Sequence, residues 1–426
     1  MNITIIGTGY VGLTAAVCFA DRGHQVVCVD IDAEKIKQLN NKKPTIHENG
    51  LGLVLKRVVD SGKITFTTDL KHGVTYSTVI LLAVGTPQNG TTGEADLTAI
   101  FAAVTACAKH IDAYKLFITK STVPTGTNHK ILQTLQRNTD HSIEVASNPE
   151  FMREGYAIHD FNHPDRIVIG IDDDSTQAKT LTSVLYKAWI DSGYPVIYTD
   201  IQSAELIKYA ANAFLMTKVA FVNEIDTLCR KLQCNSRAVT HAMGLDHRIG
   251  SAFLNPGPGI GGSCFPKDGL ALNHIAKTHH VPLSILDAVI SSNHSRLDEM
   301  SRLIVSHFIN DHEKKLSVLG LAFKAGTDDV RRSPAIDIIK RLLKQGFIIF
   351  AYDPEAMQNT KRILGDQIQY CDSIKDCYEH TNHIAILTEW PAFKIVQTFN
   401  NFSAKTVIDC RGLLDSKVPA VQDIVT

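Results

Sequence analysis

Gly7-Thr8-Gly9-Tyr10-Val11-Gly12 follows the apolar run Ile3–Ile6 directly and opens a helix-compatible stretch, Leu13–Arg22. Few local patterns restrict a fold more. Gly7 makes the turn tight, Gly9 lets backbone approach a pyrophosphate, and Gly12 lets the helix pack on the strand. The pyrophosphate then sits on the helix N-terminus, where backbone N–H groups point outward. Asp30 stands at the end of the next apolar run, eighteen residues past Gly12. A carboxylate there accepts hydrogen bonds from a ribose 2′-hydroxyl and repels a 2′-phosphate, so NAD is expected rather than NADP. A tight turn without a ligand is the bland alternative. The strand before, the helix after and Asp30 together argue against it.

Strand-like runs alternate with helix-compatible segments through the first ~200 residues. The predicted strands are Ile3–Gly7, Val26–Asp30, Val79–Val84, Leu116–Lys120, Ile143–Ser147, Ile167–Gly170 and Val196–Tyr198. Their nearly continuous apolar character suits parallel strands covered on both faces. Val84-Gly85-Thr86-Pro87 and Lys120-Ser121-Thr122-Val123-Pro124 close two of them, at the sheet edge that faces a ligand crevice. After Asp200 the pattern turns helical. A long helix is expected from Ala204, with no breaker before Gly244, and a second helical stretch from about Gly269. Strands resume at Leu316–Leu321, Ile348–Tyr352, His383–Leu387 and Val407–Cys410, without a second GxGxxG. The fold class predicted is α/β: two doubly wound Rossmann-like domains joined by a long central helical segment. The predicted segments are 1–200, 201–311 and 312–426.

Composition excludes several function classes. The net charge of the 426-residue chain is −1, so neither nucleic acid nor an anionic membrane is an expected partner. No apolar run approaches the ~20 residues that span a bilayer, and no secretory leader is expected at the N-terminus. The nine cysteines are scattered and form no CxxC pair. That argues against a disulfide framework and a zinc site, and for a reducing cytoplasm. No metal is assigned. Triplets such as Asn89-Gly90-Thr91 therefore carry no weight as glycosylation acceptors.

Gly261-Gly262-Ser263-Cys264-Phe265-Pro266-Lys267-Asp268 carries the chemistry. Two glycines allow a sharp turn and close approach to a ligand. Pro266 fits the first turn of a helix. Cys264 is thus expected at a helix head, where the dipole and Lys267 favour a thiolate. Asp268, one turn on, shares its face. A thiolate beside a carboxylate suits a covalent intermediate that water later hydrolyses. A buried small hydrophobe is the competing reading of Cys264. Lys208 and Asn212, four apart, share a helix face and suit an oxyanion, or else form a solvated stripe. Asn148-Pro149-Glu150-Phe151-Met152-Arg153-Glu154-Gly155 sets two carboxylates and an arginine in a strand-end loop, either as function or as surface decoration. Lys324, Arg331 and Arg332 follow a later strand, as phosphate ligands or as ordinary surface charges.

Together these motifs resemble the UDP-glucose/GDP-mannose dehydrogenase family of nucleotide-sugar 6-dehydrogenases. The resemblance runs from Gly7–Gly12 and Asp30 through Gly85-Thr86-Pro87, Ser121-Thr122-Val123-Pro124 and Asn148-Pro149-Glu150-Phe151. It continues through Lys208/Asn212, Gly261–Asp268 and Leu321-Ala322-Phe323-Lys324 to Arg331-Arg332-Ser333-Pro334. Gly-Gly-Ser-Cys-Phe-Pro-Lys-Asp is similar to the UDP-glucose branch. The resemblance implies a four-electron oxidation of a primary alcohol to a carboxylate, with two NAD per UDP-glucose. It makes Cys264 the nucleophile, and Lys208, Asn212 and a water held by Asp268 the managers of the alkoxide. Glu150 or Asp268 serves as base in the hydrolysis, and Thr122 holds water or cofactor.

For the cofactor the resemblance implies Gly7, Gly9, Tyr10, Val11, Gly12, Asp30, Lys35, Thr86, Thr122, Glu154, Lys267 and Arg332. For the sugar nucleotide it implies Glu150, Phe151, Met152, Arg153, Glu154, Lys208, Asn212, Phe253, Leu254, Gly261, Cys264, Phe265 and Lys324. Phe253-Leu254 stands where many relatives carry a more aromatic pair. Arg248 matches an arginine that reaches a partner subunit's site, implying a homodimer built on the central helices. The rival readings are the same chemistry on GDP-mannose or a UDP-N-acetylhexosamine, a two-electron β-hydroxyacid dehydrogenase, and a non-catalytic NAD-binding protein.

Overall fold

A computed structural model describes residues 1–89, 93–308, 313–414 and 421–423. Gly90 and Thr91 of the Asn89 triplet, and the predicted segment boundary at 311/312, lie outside the described residues. The chain divides into two compact units: Met1–Ala211 with Lys277–His279, and Asn212–Ala276 with His280–Thr426.

The first unit is built on an eight-stranded sheet. Its strands are β1 (Asn2–Ile6), β2 (Gln25–Val29), β3 (Ile64–Thr67), β4 (Val79–Leu82), β5 (Lys115–Thr119), β6 (Ile143–Ser147), β7 (Ile167–Gly170) and β8 (Val196–Thr199). Their order is β3-β2-β1-β4-β5-β6-β7-β8. All neighbours run parallel except β6 and β7, which meet antiparallel through Ser147 and Gly170. Side chains alternate between the two faces, and both are covered. Ile3, Ile5, Val26, Cys28, Val79 and Leu81 pack into one core. Ile6, Val27, Val29, Ile80 and Leu82 pack into another. That is why these strands read as continuous apolar runs. The predicted strands all form, mostly with ends shifted by one or two residues. β3 escaped prediction because its alternating Ile64-Thr65-Phe66-Thr67 pattern is that of an edge strand with one face partly exposed.

The second unit carries a six-stranded, all-parallel sheet among the described residues. Its strands are β9 (Lys315–Leu319), β10 (Ile348–Tyr352), β11 (Gln369–Tyr370), β12 (His383–Ile386), β13 (Thr406–Asp409) and β14 (Val421–Asp423). The order β11-β10-β9-β12-β13-β14 reverses beside the first strand, as in a dinucleotide fold. β11 and β14, two and three residues long, are too short for a periodic signal.

Helix α1 spans Tyr10–Asp21 and α2 spans Thr127–Gln136. The long helix, α3, spans Ile201–Leu232 and is followed by α4 (Ser236–Leu245), α5 (Phe265–Thr278) and α6 (Ser284–Ser306). Two expectations need correction. The central helix does not run to Gly244. It stops at Leu232, where Gln233 takes a left-handed conformation (φ 58°) and Cys234 N–H returns to Cys229 C=O at 3.0 Å. This is the closing bond that glycine usually makes possible. Asn235 then caps α4 by accepting from Ala238 N–H at 2.9 Å. A helix stop made by a glutamine has no signature in the sequence. The second helical stretch likewise starts at Phe265 rather than Gly269.

A buried charge cluster fastens the helical part of the second unit. Asp226, fully buried on α3, accepts from Arg296 of α6 at 2.6 Å and from Ser236 of α4 at 2.9 Å. Arg230 stands 3.3 Å from the same carboxylate. Arg296 also donates to Gly257 C=O at 2.9 Å. Asp226→Ala would leave two arginines facing a buried gap. Removing one partner of a buried pair costs ~3–5 kcal/mol, and a clear fall in Tm by calorimetry is the expected result.

Candidate active site

In the first unit the glycine turn has the geometry its sequence demands. Gly7 has φ +99°, a left-handed value that favours glycine. A Cβ on Gly12 would stand 2.0 Å from Gly7 C=O, so only glycine lets α1 approach β1 this closely. A Cβ on Gly9 would meet nothing within 4 Å, leaving open space over the head of α1. No side chain caps that helix end and no acidic residue sits in its first turn. The residues present therefore fit a bound pyrophosphate.

Asp30 sits beside this turn. Its Oδ2 accepts from Thr8 N–H and Thr8 Oγ1–H, both at 2.7 Å, and its Oδ1 accepts from Asp32 N–H at 3.0 Å. Burial pushes the Asp30 carboxyl upward, but these hydrogen bonds and Lys35 hold it below its ordinary value. It stays ionised, with lone pairs left for a ribose hydroxyl. Lys35 lies on the helix that Asp32 caps. Thr86 Oγ1 donates to Thr122 C=O at 2.8 Å, tying the loops after β4 and β5 together.

Tyr10 and Glu48 form a pair that the sequence reading missed. Tyr10 OH donates to Glu48, whose carboxylate also accepts from Gly155 N–H and Ala157 N–H, each at 2.8 Å. One buried glutamate thereby holds the loop that carries Arg153 and Glu154 against the glycine turn. Arg153 itself is clamped by Asp160, with Nη2 to Oδ1 at 2.7 Å. Phe151 lies under the Arg166 guanidinium at 3.7 Å. Met152 N–H donates to Glu150 at 2.7 Å.

Glu150 is buried at the end of β6, where Lys208 of α3 donates to it at 3.0 Å. Burial raises the Glu150 carboxyl, but Lys208, the Met152 N–H and Lys120 outweigh it and hold the group below its ordinary value. The predicted solvated stripe is therefore absent at Lys208, which is buried. Tyr186 and Glu205 were not singled out from the sequence, and Lys120 entered only as part of a strand-end motif, because nothing in the sequence marks them as buried. Glu205 accepts from Gly126 N–H and Asn128 N–H and so caps α2.

In the second unit Cys264 immediately precedes α5, and its C=O accepts from Asp268 N–H at 2.8 Å. The expected helix-head placement holds. Lys267, however, spends its charge on Asp268, at 2.7 Å. It was expected to favour the Cys264 thiolate. Asn212 of α3 donates to the other oxygen of Asp268 at 2.6 Å. Asp268 is thus buried, ion-paired and oriented one helical turn from the cysteine. The Cys264 Sγ lies 3.5 Å from Ser263 Oγ.

Gly261 is needed because a Cβ would stand 2.5 Å from Pro334 and 2.6 Å from Arg332 C=O. Arg332 has φ 49°. The ring of Phe323 covers Gly262, and Lys324 Nζ stands 5.6 Å from that ring. Phe253 and Phe265 are ring neighbours at 5.7 Å, and Leu254 is buried. Arg248 is exposed and clamped by Asp246 at 2.6 Å. The fold also brings Cys371, Asp376 and His380 within 4.8 Å, a grouping invisible in the sequence. Asp376 and His380, one helical turn apart, already contact each other at 3.4 Å.

Because the Glu150 carboxyl is held low, its contribution to stability is present above the unfolded value of ~4.3 and lost as pH falls through the lower folded value. Glu150→Gln removes that contribution and leaves Lys208 buried without a carboxylate. The Tm gap between the wild-type protein and the variant should be open at pH 7, narrow once the pH falls below the unfolded value of ~4.3 and close only below the lower folded value, as followed by circular dichroism.

Three family models match consecutive parts of the chain. They are the NAD binding domain of the UDP-glucose/GDP-mannose dehydrogenase family over residues 1–190, its central domain over 202–295 and its UDP binding domain over 317–416. The chain is 43% identical over 399 residues to a UDP-glucose 6-dehydrogenase of Rhizobium meliloti (strain 1021), covering 92% of this chain and 90% of that protein. It is 42% identical over 418 residues to UDP-glucose 6-dehydrogenase TuaD of Bacillus subtilis (strain 168), covering 97% and 89%. The solved structure of a UDP-glucose dehydrogenase from Pyrobaculum islandicum superposes with a TM-score of 0.93 at 34% identity, covering 100% of this chain and 97% of that one. With its glycine turn, its Asp30 and its Cys264 helix head in place, the chain belongs to the UDP-glucose/GDP-mannose dehydrogenase family.

Proposed function

We propose that the protein oxidises UDP-glucose to UDP-glucuronate, consuming two NAD and one water and releasing two NADH. The observation that carries this reading is Cys264 at the head of α5, one turn from a buried Asp268 that Asn212 and Lys267 hold in place. A two-electron alcohol dehydrogenase has no use for a thiolate. NAD, when bound, accepts the hydride in each oxidation.

The turn Gly7, Gly9, Tyr10, Val11 and Gly12 seats the pyrophosphate and Asp30 takes the ribose; Lys35, Thr86, Thr122 and Glu154 of the first unit and Lys267 and Arg332 of the second are the further residues assigned to the cofactor. For the sugar nucleotide the assigned residues are Phe151, Met152, Arg153 and Glu154 of the first unit and Phe253, Leu254, Gly261, Phe265 and Lys324 of the second. Lys208 and Asn212 stabilise the alkoxide formed at C6, and a water on Asp268 takes the proton. The Cys264 thiolate adds to the aldehyde carbonyl, and the thiohemiacetal is oxidised to a thioester. Water then attacks the thioester carbon, the C–S bond breaks, and the thiolate is regenerated. Glu150 or Asp268 takes the proton of that water. Each is already bound to a lysine, Glu150 to Lys208 and Asp268 to Lys267.

Homodimerisation is part of this reading. Phe214, Phe221 and Leu228 are exposed at seven-residue spacing along α3, and Leu232, Leu245 and Ile249 extend the apolar surface. Such a stripe suits a helix face that a second copy covers. Arg248 would reach the partner's site from the same region. None of the nine cysteines forms a disulfide, which suits a reducing cytoplasm.

With UDP-glucose limiting and NAD in excess, two NADH per sugar are expected, with UDP-glucuronate as product. One NADH per sugar would refute the thioester route. No NADH with UDP-glucose, but turnover of GDP-mannose or a UDP-N-acetylhexosamine, would move the substrate within the family. Cys264→Ser should stop at the aldehyde level or proceed very slowly, and wild-type turnover to acid in that variant would overturn the covalent step. Phe221→Asp should shift the mass measured by light scattering from dimer to monomer.

A further inference from the structure

The first unit buries two ammonium groups around a single carboxylate. Lys208 takes Glu150 directly, at 3.0 Å. Lys120, buried at the end of β5, contacts only neutral oxygens: Asn148 Oδ1 at 3.1 Å and Tyr186 OH at 3.4 Å. Tyr186 OH donates to the same Asn148 oxygen. Asn148 Nδ2 donates to Val168 C=O at 2.8 Å, and its N–H donates to Thr119 C=O at 2.9 Å. Every polar group of this asparagine side chain is therefore engaged, and the next two residues are Pro149 and Glu150. The Phe161 ring covers Lys120 at 5.6 Å.

We propose that Lys120 is a positioning residue for the oxidation. With Tyr186 it locks Asn148, and through the short Asn148-Pro149-Glu150 segment it holds the Glu150 carboxylate against Lys208; loss of its proton loosens that hold. The inference rests on the reading that Glu150 and Lys208 serve the oxidation described above.

The charge count explains why Lys120 is the group that titrates. The charged and titratable groups that face it are Glu150 after β6, Lys208 on α3 and Tyr186 between two helices. One carboxylate cannot compensate two buried cations, and Lys208 has the shorter contact. Burial pushes the Lys120 ammonium down to about 8, with Glu150 opposing the shift and Lys208 adding to it. Tyr186 is itself pushed far up by burial and remains a neutral hydroxyl.

Lys120→Met keeps the volume and removes the charge, and leaves Asn148 Oδ1 one donor from Tyr186. The wild-type kcat should fall as pH rises through about 8. In Lys120→Met kcat should be lower by roughly ten- to a hundred-fold, and that alkaline limb should be absent. KM for NAD should not change. A second readout needs no turnover. Between about 8 and the unfolded lysine value of ~10.4, the unfolded chain binds more protons at this position than the folded one. The wild-type Tm should therefore rise relative to that of Lys120→Met across this window. A flat Tm difference, or a variant with wild-type kcat and an unchanged alkaline limb, overturns the proposal. Should Lys120→Met not fold, Tyr186→Phe replaces it. Losing a neutral acceptor should move the alkaline limb to lower pH, and an unmoved limb overturns the proposal. If no nucleotide sugar is oxidised, the functional reading fails, while the Tm comparison still reports on Lys120.

Discussion

Helix α1 lies so close to strand β1 that a methyl group does not fit between them. A Cβ on Gly12 would stand 2.0 Å from the Gly7 carbonyl oxygen. This contact sets where the helix axis passes over the sheet and where its N-terminus opens. The orientation of the exposed N–H groups, the placing of Tyr10 against Glu48 and the hydrogen bonds from Thr8 to Asp30 all follow from it. The dinucleotide site is in this sense a packing result. The sequence supplies three glycines, and the sheet converts them into a cradle.

Buried charge is the second organising theme. Glu150 is held by Lys208, Asp268 by Lys267 and Asp226 by Arg296, and each carboxylate is also bound by an amide N–H or a hydroxyl. A buried ion survives only with a partner and further hydrogen bonds. The consequence for chemistry is that neither candidate base floats free. Each is oriented in advance, and its lysine must yield as a proton moves. Lys120 departs from this rule, because it has only neutral partners.

Much of the fold was legible because parallel strands covered on both faces have no polar side to show. Ile3–Ile6, Val79–Leu82 and Ile348–Tyr352 announce themselves as apolar runs. β3, β11 and β14 did not, since an edge strand alternates and a two- or three-residue strand has no period. The stop of α3 at Leu232 was hidden for a different reason. Gln233 is an ordinary helix former, and its left-handed backbone comes from the closing bonds around it. Of the site, the motifs around Gly7 and Cys264 were visible as spacing. The Lys267–Asp268 pairing was not, since adjacent residues on a helix do not usually face each other.

The sequence alone determined the strand and glycine framework, the cysteine at a helix head, and the pairing of Lys208 with Asn212 on one face. These are local facts, written in turn chemistry and in periods of two and 3.6 residues. Tertiary structure decided which charges are buried and what they face. Lys120 and Lys208 look alike in the sequence, as do Glu48, Glu150 and Glu205. Their roles differ because desolvation and the nearest opposite charge depend on residues distant in the chain, 58 positions apart for Glu150 and Lys208.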